Sequence, residues 1–94
     1  MNRARKLLSS TAAFLELPAD VLAGIPKMEL IGFQEFSIEP HKGLLEYEKE
    51  HISIETQIGR IHLIGKELTI RLMNSSRITI GGWICTLQLQ EEHR

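Results

Sequence analysis

The chain contains very little cysteine, aspartate or aromatic residue. Cys85 and Asp20 each stand alone among 94 residues, and aromatic residues make up 5%. One thiol cannot form an intramolecular disulfide or a cysteine-based zinc site, so we expect a protein of the reducing cytoplasm. No apolar run exceeds the four residues 12–15. This is far below the roughly 20 residues that span a bilayer or the 7 to 15 of a signal-peptide core.

The remaining composition is that of an ordinary folded domain. Hydrophobic residues account for 43% and charged residues for 24% of the chain, which argues against a disordered chain. We predict a single domain over residues 1–94, with an N-terminal helical segment at 1–25 and a β domain at 28–90. The net charge of −1 is the sum of +3 over residues 1–15 and −4 over the rest of the chain, and residues 34–56 form a local stretch of −4. Such a balance disfavours general binding of nucleic acid.

The first seventeen residues predict an amphipathic helix, because apolar residues recur at three- and four-residue intervals. Pro18 ends it, and a short second helix runs to Ala23, with Gly24 as its C-terminal stop. The candidate membrane-docking or partner-docking residues on the first helix are Arg3, Arg5, Lys6, Leu7, Leu8, Phe14 and Leu15. The same helix can instead cover the sheet, and we favour this role because so small a sheet needs an apolar cover.

From Met28 onward, apolar and polar residues alternate, which predicts a curled antiparallel meander of about eight short strands. We expect a hairpin turn at Gly65-Lys66, a loop at 57–60, a loop at 74–76 and a break at Gly81-Gly82. The structural turn residues are therefore predicted to be Pro18, Gly32, Gly43, Gly59, Gly65 and Gly81. Residues 63–70 weakly repeat the pattern of residues 30–38, and such an internal repeat leaves a small β-solenoid as the alternative fold.

The sequence contains no recognised catalytic or phosphate-binding motif, and we expect neither an enzyme nor a bound cofactor. The alternation places Cys85 on the core face. It places His51 and His62 on the solvent face, where His62 would pair with Glu55 across the strands. A metal-dependent enzyme built on His41, His51 and His62 is the least favoured reading, because a tetrahedral site would need further ligands.

Two segments of the sequence have a distinctive pattern of proline, glycine and charged residues. The first is the elbow Leu15-Glu16-Leu17-Pro18, followed by Pro26 and an apolar strand that ends at Gly32. The second is the run from Ile38 to Leu44 that contains Pro40-His41-Lys42-Gly43. These segments resemble the YabP/YqfC family of sporulation proteins, and more so its YqfC-like branch. The resemblance covers nearly the whole chain. Pro40 departs from the polar residue expected there, and the final strand is more apolar than usual for the family.

The resemblance implies a non-enzymatic structural or interaction protein of spore envelope assembly, made in the mother cell. Its expected location is the cytoplasm, with a peripheral position at the forespore membrane. Its expected partners are other spore-envelope or forespore-membrane proteins, a second copy of the chain, and the membrane itself through the N-terminal helix. The alternative function is a small Sm-like nucleic-acid-binding β module. Residues 57–94 carry +2, but too few aromatic residues follow Tyr47 to make a base-stacking platform.

Overall fold

The structure, a computed structural model, describes residues 24–92. Within that range every regular element is a β-strand. The predicted helices over residues 1–25 lie almost entirely outside the described residues. The strands are β1 Lys27–Ile31, β2 Glu35–Glu39, β3 Gly43–Glu48, β4 His51–Glu55, β5 Gly59–Met73 and β6 Ile78–Glu91.

The six strands form one open antiparallel sheet in the order β1-β2-β6-β5-β4-β3. Strands β2 and β4 are not neighbours in this order, yet their apolar side chains belong to the same buried cluster. The sheet therefore curls, so that the two halves of its apolar face pack against each other. The core consists of Phe36, Ile38, Ile52, Ile54, Ile61, Leu63, Leu68, Ile78, Ile80 and Ile84.

The curl depends on bends in the two longest strands. Residues 59–64 of β5 pair with residues 86–91 of β6, whereas residues 69–73 pair with residues 78–81. Between these stretches the register shifts, and Glu67 adopts a left-handed φ of 51°. Register shifts of this kind mark β-bulges, which bend a strand and increase its twist. Each long strand can therefore contribute to both halves of the curled sheet.

Hydrogen bonds from two turns hold the bends in place. The turn between β3 and β4 accepts bonds at the bend of β5, from Gly65 N to Glu50 O (3.1 Å) and from Leu68 N to Lys49 O (2.8 Å). The turn between β1 and β2 does the same at the bend of β6, where Gly82 N donates to Gln34 O (3.2 Å). Backbone groups that the bends remove from the ladder thus regain partners, as buried amides require.

The predicted count of about eight strands is wrong, because two pairs of short strands are continuous. The expected hairpin at Gly65-Lys66 is replaced by the bend of β5, and the expected break at Gly81-Gly82 lies within β6. The solenoid alternative is also wrong, since every strand pair is antiparallel. Glycine permits a turn, but it equally permits a close backbone crossing within a bent strand, and a local pattern cannot separate the two.

Two loop predictions hold in outline and differ in register. The loop closed by the pair Glu55 and Arg60 has four residues, as expected, but it begins at Thr56, whose hydroxyl donates to Gly59 O (2.7 Å). The loop that begins at residue 74 joins β5 to β6, where Ile70 pairs with Ile80 and Leu72 faces Thr79 because a bulge intervenes. Asn74 Oδ1 stabilises that loop by accepting from the amides of Ser76 and Arg77, as an Asx turn does.

Truncating a buried isoleucine in the core should destabilise the fold strongly. Ile54 is 0% exposed at the centre of the core, so Ile54→Ala should lower the free energy of unfolding by about 2 to 5 kcal/mol. The matched control is Ile31→Ala on β1, where the side chain is largely exposed and the loss should stay within about 0.5 kcal/mol. Urea denaturation followed by circular dichroism measures both. Equal losses at the two sites would contradict the described core.

Adding a methyl group at the bend of β5 should also destabilise the protein. An added Cβ at Gly65 would collide with the backbone carbonyl of Trp83. At Gly32 it would meet no atom within 4 Å, although φ is 57° there. Gly32→Ala should therefore lower the free energy of unfolding only by the strain of the left-handed backbone, about 1 to 2 kcal/mol. Gly65→Ala should lower it by more. Thermal melts of the two variants give the order, and the reverse order would argue against the close crossing.

Candidate docking surface

The residues predicted to dock on a membrane or partner lie outside the described residues. These are Arg3, Arg5, Lys6, Leu7, Leu8, Phe14 and Leu15, together with the elbow proline Pro18. Of the predicted turn glycines, Gly32 lies in the turn between β1 and β2, Gly43 begins β3 and Gly59 begins β5. Gly65 and Gly81 lie within bent strands.

Three large apolar side chains are exposed where the first turn meets the bend of β6. Ile31, Phe33 and Trp83 are 64%, 68% and 53% exposed, and we call them the aromatic tip. Ile84 N donates to Phe33 O (2.8 Å), so the turn that carries Phe33 runs beside the segment that carries Trp83. Large exposed aromatic residues on a rigid backbone are typical of the energetic centres of protein interfaces.

A shallow polar depression of about 200 Å³ lies next to Trp83. Gln34, Glu67 and Arg71 contribute to its wall. Arg71 Nη1 donates to Glu35 Oε1 (3.2 Å), an ion pair whose side chains are both partly exposed. The aromatic tip is therefore bordered by polar groups of both signs, which resembles the apolar centre and polar rim of a protein interface.

On the outer face of the sheet, four polar side chains from β3, β4, β5 and β6 make a continuous series of contacts. Glu46 Oε1 lies 3.1 Å from His51 Nδ1, and His51 Nε2 lies 3.2 Å from His62 Nδ1. The two imidazole rings stack with centroids 5.4 Å apart, and His62 Nε2 lies 2.8 Å from Gln90 Oε1. These contacts link one side chain from each of β3, β4, β5 and β6.

The predicted contact between His62 and Glu55 is wrong. His62 lies opposite Ser53, while Glu55 lies opposite Arg60 and accepts a bond from its Nε (3.2 Å). His51 and His62 both lie on the outer face of the sheet, which is the face predicted for them. Because the turn between β4 and β5 begins one residue earlier than expected, each cross-strand partner moves by two positions along the same face.

His41 lies apart from the other two described histidines. Its Nε2 is 2.9 Å from Asn74 O, and its backbone amide donates to Ser76 O (3.1 Å). These bonds tie the segment before β3 to the loop between β5 and β6. Over residues 24–92 no three His, Cys, Asp or Glu side chains are grouped so that they could hold a metal ion.

The prediction that Cys85 packs in the core is wrong, because its side chain is exposed. Ile64 pairs with Thr86 and Gly65 with Ile84, which leaves Cys85 as the extra residue of a bulge. Ile84 takes the core position instead. The same irregularity leaves Trp83 exposed, and simple alternation therefore missed the aromatic tip. The neighbouring Gly81-Gly82 pair was the one sequence signal that regular alternation fails at this point.

An apolar groove of about 410 Å³ opens along the last part of β6. Apolar side chains on its wall are Met28, Ile58, Ile61 and Leu89. Ile61 is buried, whereas Ile58 and Leu89 are exposed. In the described part of the chain, no helix has the length and apolar character needed to cross a membrane.

Comparison with known proteins agrees with the resemblance seen in the motifs. The uncharacterised protein YqfC of Bacillus subtilis (strain 168) is 27% identical over 77 residues, which cover 82% of this chain and 83% of YqfC. The model of the YabP family matches residues 24–94, well over half of the chain and nearly the same span as the described sheet. The chain therefore belongs to the YabP/YqfC family.

Proposed function

We propose that the chain is a non-enzymatic interaction protein of spore envelope assembly that acts in the mother-cell cytoplasm. In this proposal the aromatic tip binds a spore-envelope or forespore-membrane protein and so holds the chain at the forespore surface. Family membership supports the association with sporulation. The observation that carries the binding role is the exposure of Phe33 and Trp83 on adjacent backbone segments.

The physical argument concerns the cost of leaving this surface in water. Burying a large apolar side chain stabilises a complex by about 1.5 to 3 kcal/mol. Binding also requires little ordering of the backbone, because hydrogen bonds already hold Phe33 O to Ile84 N and Gln34 O to Gly82 N. A surface that is held in place before binding loses less conformational entropy when the partner arrives.

The N-terminal residues have a separate place in this proposal. The basic residues Arg3, Arg5 and Lys6 precede the predicted apolar face that includes Phe14. Such a helix would give a peripheral contact with an anionic membrane, to which each basic residue adds about 1 kcal/mol. Co-sedimentation with vesicles containing anionic lipid tests this contact, and an equal lack of binding at low and high salt would contradict it.

The aromatic tip should be required for localisation during sporulation. A fluorescent fusion of the intact chain should gather at the forespore surface, whereas the double variant Phe33→Ser, Trp83→Ser should be diffuse. Loss of one interface residue that contributes about 2 kcal/mol to binding raises the dissociation constant about thirtyfold. The matched control is Leu72→Ser, Met73→Ser, which removes exposed apolar side chains at the far end of β5 and should still localise.

Folding and function must be separated in this experiment. Thermal melts of the purified variants should agree with the unaltered chain within a few degrees, since surface substitutions shift stability by about 0.5 kcal/mol or less. Equal localisation of the tip variant and the intact chain would contradict the proposed surface. Tight, salt-dependent binding of RNA in a filter titration would instead favour the nucleic-acid alternative.

A further inference from the structure

The last part of β6 has an edge with no partner among residues 24–92. Residues 78–81 of this strand lie between β2 and β5, but residues 86–91 pair with β5 alone. Where the bend ends, Ile84 N still donates to Phe33 O. Beyond it, no backbone in the described part of the chain covers the outer side of the strand.

This edge lacks the features that usually prevent strands from pairing between molecules. Residues 86–90 read Thr-Leu-Gln-Leu-Gln, without charge, proline or bulge, and the charged Glu91 follows only at the end of the strand. The other two edge strands carry charges, Lys27 and Glu29 in β1 and Glu46 and Glu48 in β3, and β3 also has a bulge. Charges and bulges on an edge oppose intermolecular pairing, so β6 is the edge best suited to accept another strand.

The direction of the backbone groups along this edge follows from the turn between β4 and β5. Gly59 O accepts from Thr56 N (2.8 Å), so Gly59 directs its polar groups towards β4. Glu91 lies opposite Gly59 and therefore directs its own groups away from β5. Because the direction alternates along an antiparallel strand, Leu89 and Leu87 present their N–H and C=O groups outward as well.

We infer that a second copy of the chain pairs with this edge, antiparallel, about a twofold axis at Gln88. In that register Leu87 of one copy lies opposite Leu89 of the other, and Thr86 lies opposite Gln90. The leucines share the core face of the sheet and the polar residues share the outer face, as their pairing with β5 places them. Twofold pairing of identical strands is self-complementary and closes as a dimer.

The groove along β6 supports this partner and this register. Leu89 is 62% exposed and lines the groove beside Met28 and Ile58. Pairing at Gln88 places a leucine from the second copy directly beside each exposed leucine. A twofold axis at Leu89 would set Leu87 against Glu91, and one at Leu87 would set Leu89 against Cys85. The axis at Gln88 therefore keeps both faces matched.

Register-specific disulfides test the dimer in the full chain. Cys85→Ser first removes the exposed native thiol. Across a non-hydrogen-bonded antiparallel pair the Cα atoms are about 4.5 Å apart, which a disulfide can bridge. Gln88→Cys in this background should therefore cross-link two copies on mild oxidation. The matched control Thr86→Cys, on the same outer face, should not, because the two thiols would lie four residues, about 13 Å, out of register.

Sedimentation equilibrium tests the association without any covalent bond. The intact chain should show a concentration-dependent dimer, and Leu89→Lys should raise its dissociation constant at least about tenfold, because it breaks two leucine pairs and charges the edge. Because Leu89 is largely exposed, the variant should have a melting temperature close to that of the intact chain.

Three results would overturn the inference. The first is a chain that stays monomeric at every concentration while the Leu87 and Leu89 amides resist hydrogen exchange, which would assign the edge to the chain's own N-terminal residues. The second is equal cross-linking of Gln88→Cys and Thr86→Cys. The third is a dimer that Leu89→Lys leaves unchanged. None of them bears on the aromatic tip, so the proposed function is tested separately.

Discussion

The rest of the structure depends on the bends of β5 and β6. A flat sheet of six strands would leave its apolar face in water, and residues 24–92 form no second sheet that could cover it. The bends allow the sheet to cover itself. The turns on either side of the core complete the bends by bonding to Gly65 and Gly82, so strand pairing and core packing form together.

The same bends determine which surfaces are available for binding. At the bend of β6 the alternation of faces is interrupted, so Trp83 and Cys85 point away from the core that Ile84 enters. After the bend, β6 leaves β2 and continues beside β5 alone. The aromatic tip and the open edge of β6 are therefore two consequences of one change in direction. A protein this small can place its function on surfaces of this kind without a cleft.

Much of the sheet could be predicted from the alternation of apolar residues. The alternating residues Ile52 and Ile54 of β4 are buried, as are Ile61 and Leu63 at the start of β5, whereas Leu72 near its end is exposed. The predictions failed where a residue was inserted into a strand. The bulge at Cys85 shifts the alternation by one position, so the face of Leu87 and Leu89 does not extend back to Cys85 and Trp83. Nothing in the residue types near Gly65 distinguishes a turn from a bend.

The sequence by itself determined the strand-rich character, the antiparallel pairing and the family, because these depend on local alternation and on short motifs such as the segment around His41. Only the tertiary structure decided that eight apparent strands are six, that Trp83 is exposed and that His62 meets His51 and not Glu55. The physical reason is that a bend needs partners from distant turns. Lys49 and Glu50 satisfy the amides at the bend of β5, and such partners, distant along the chain, are specified only once the sheet has closed.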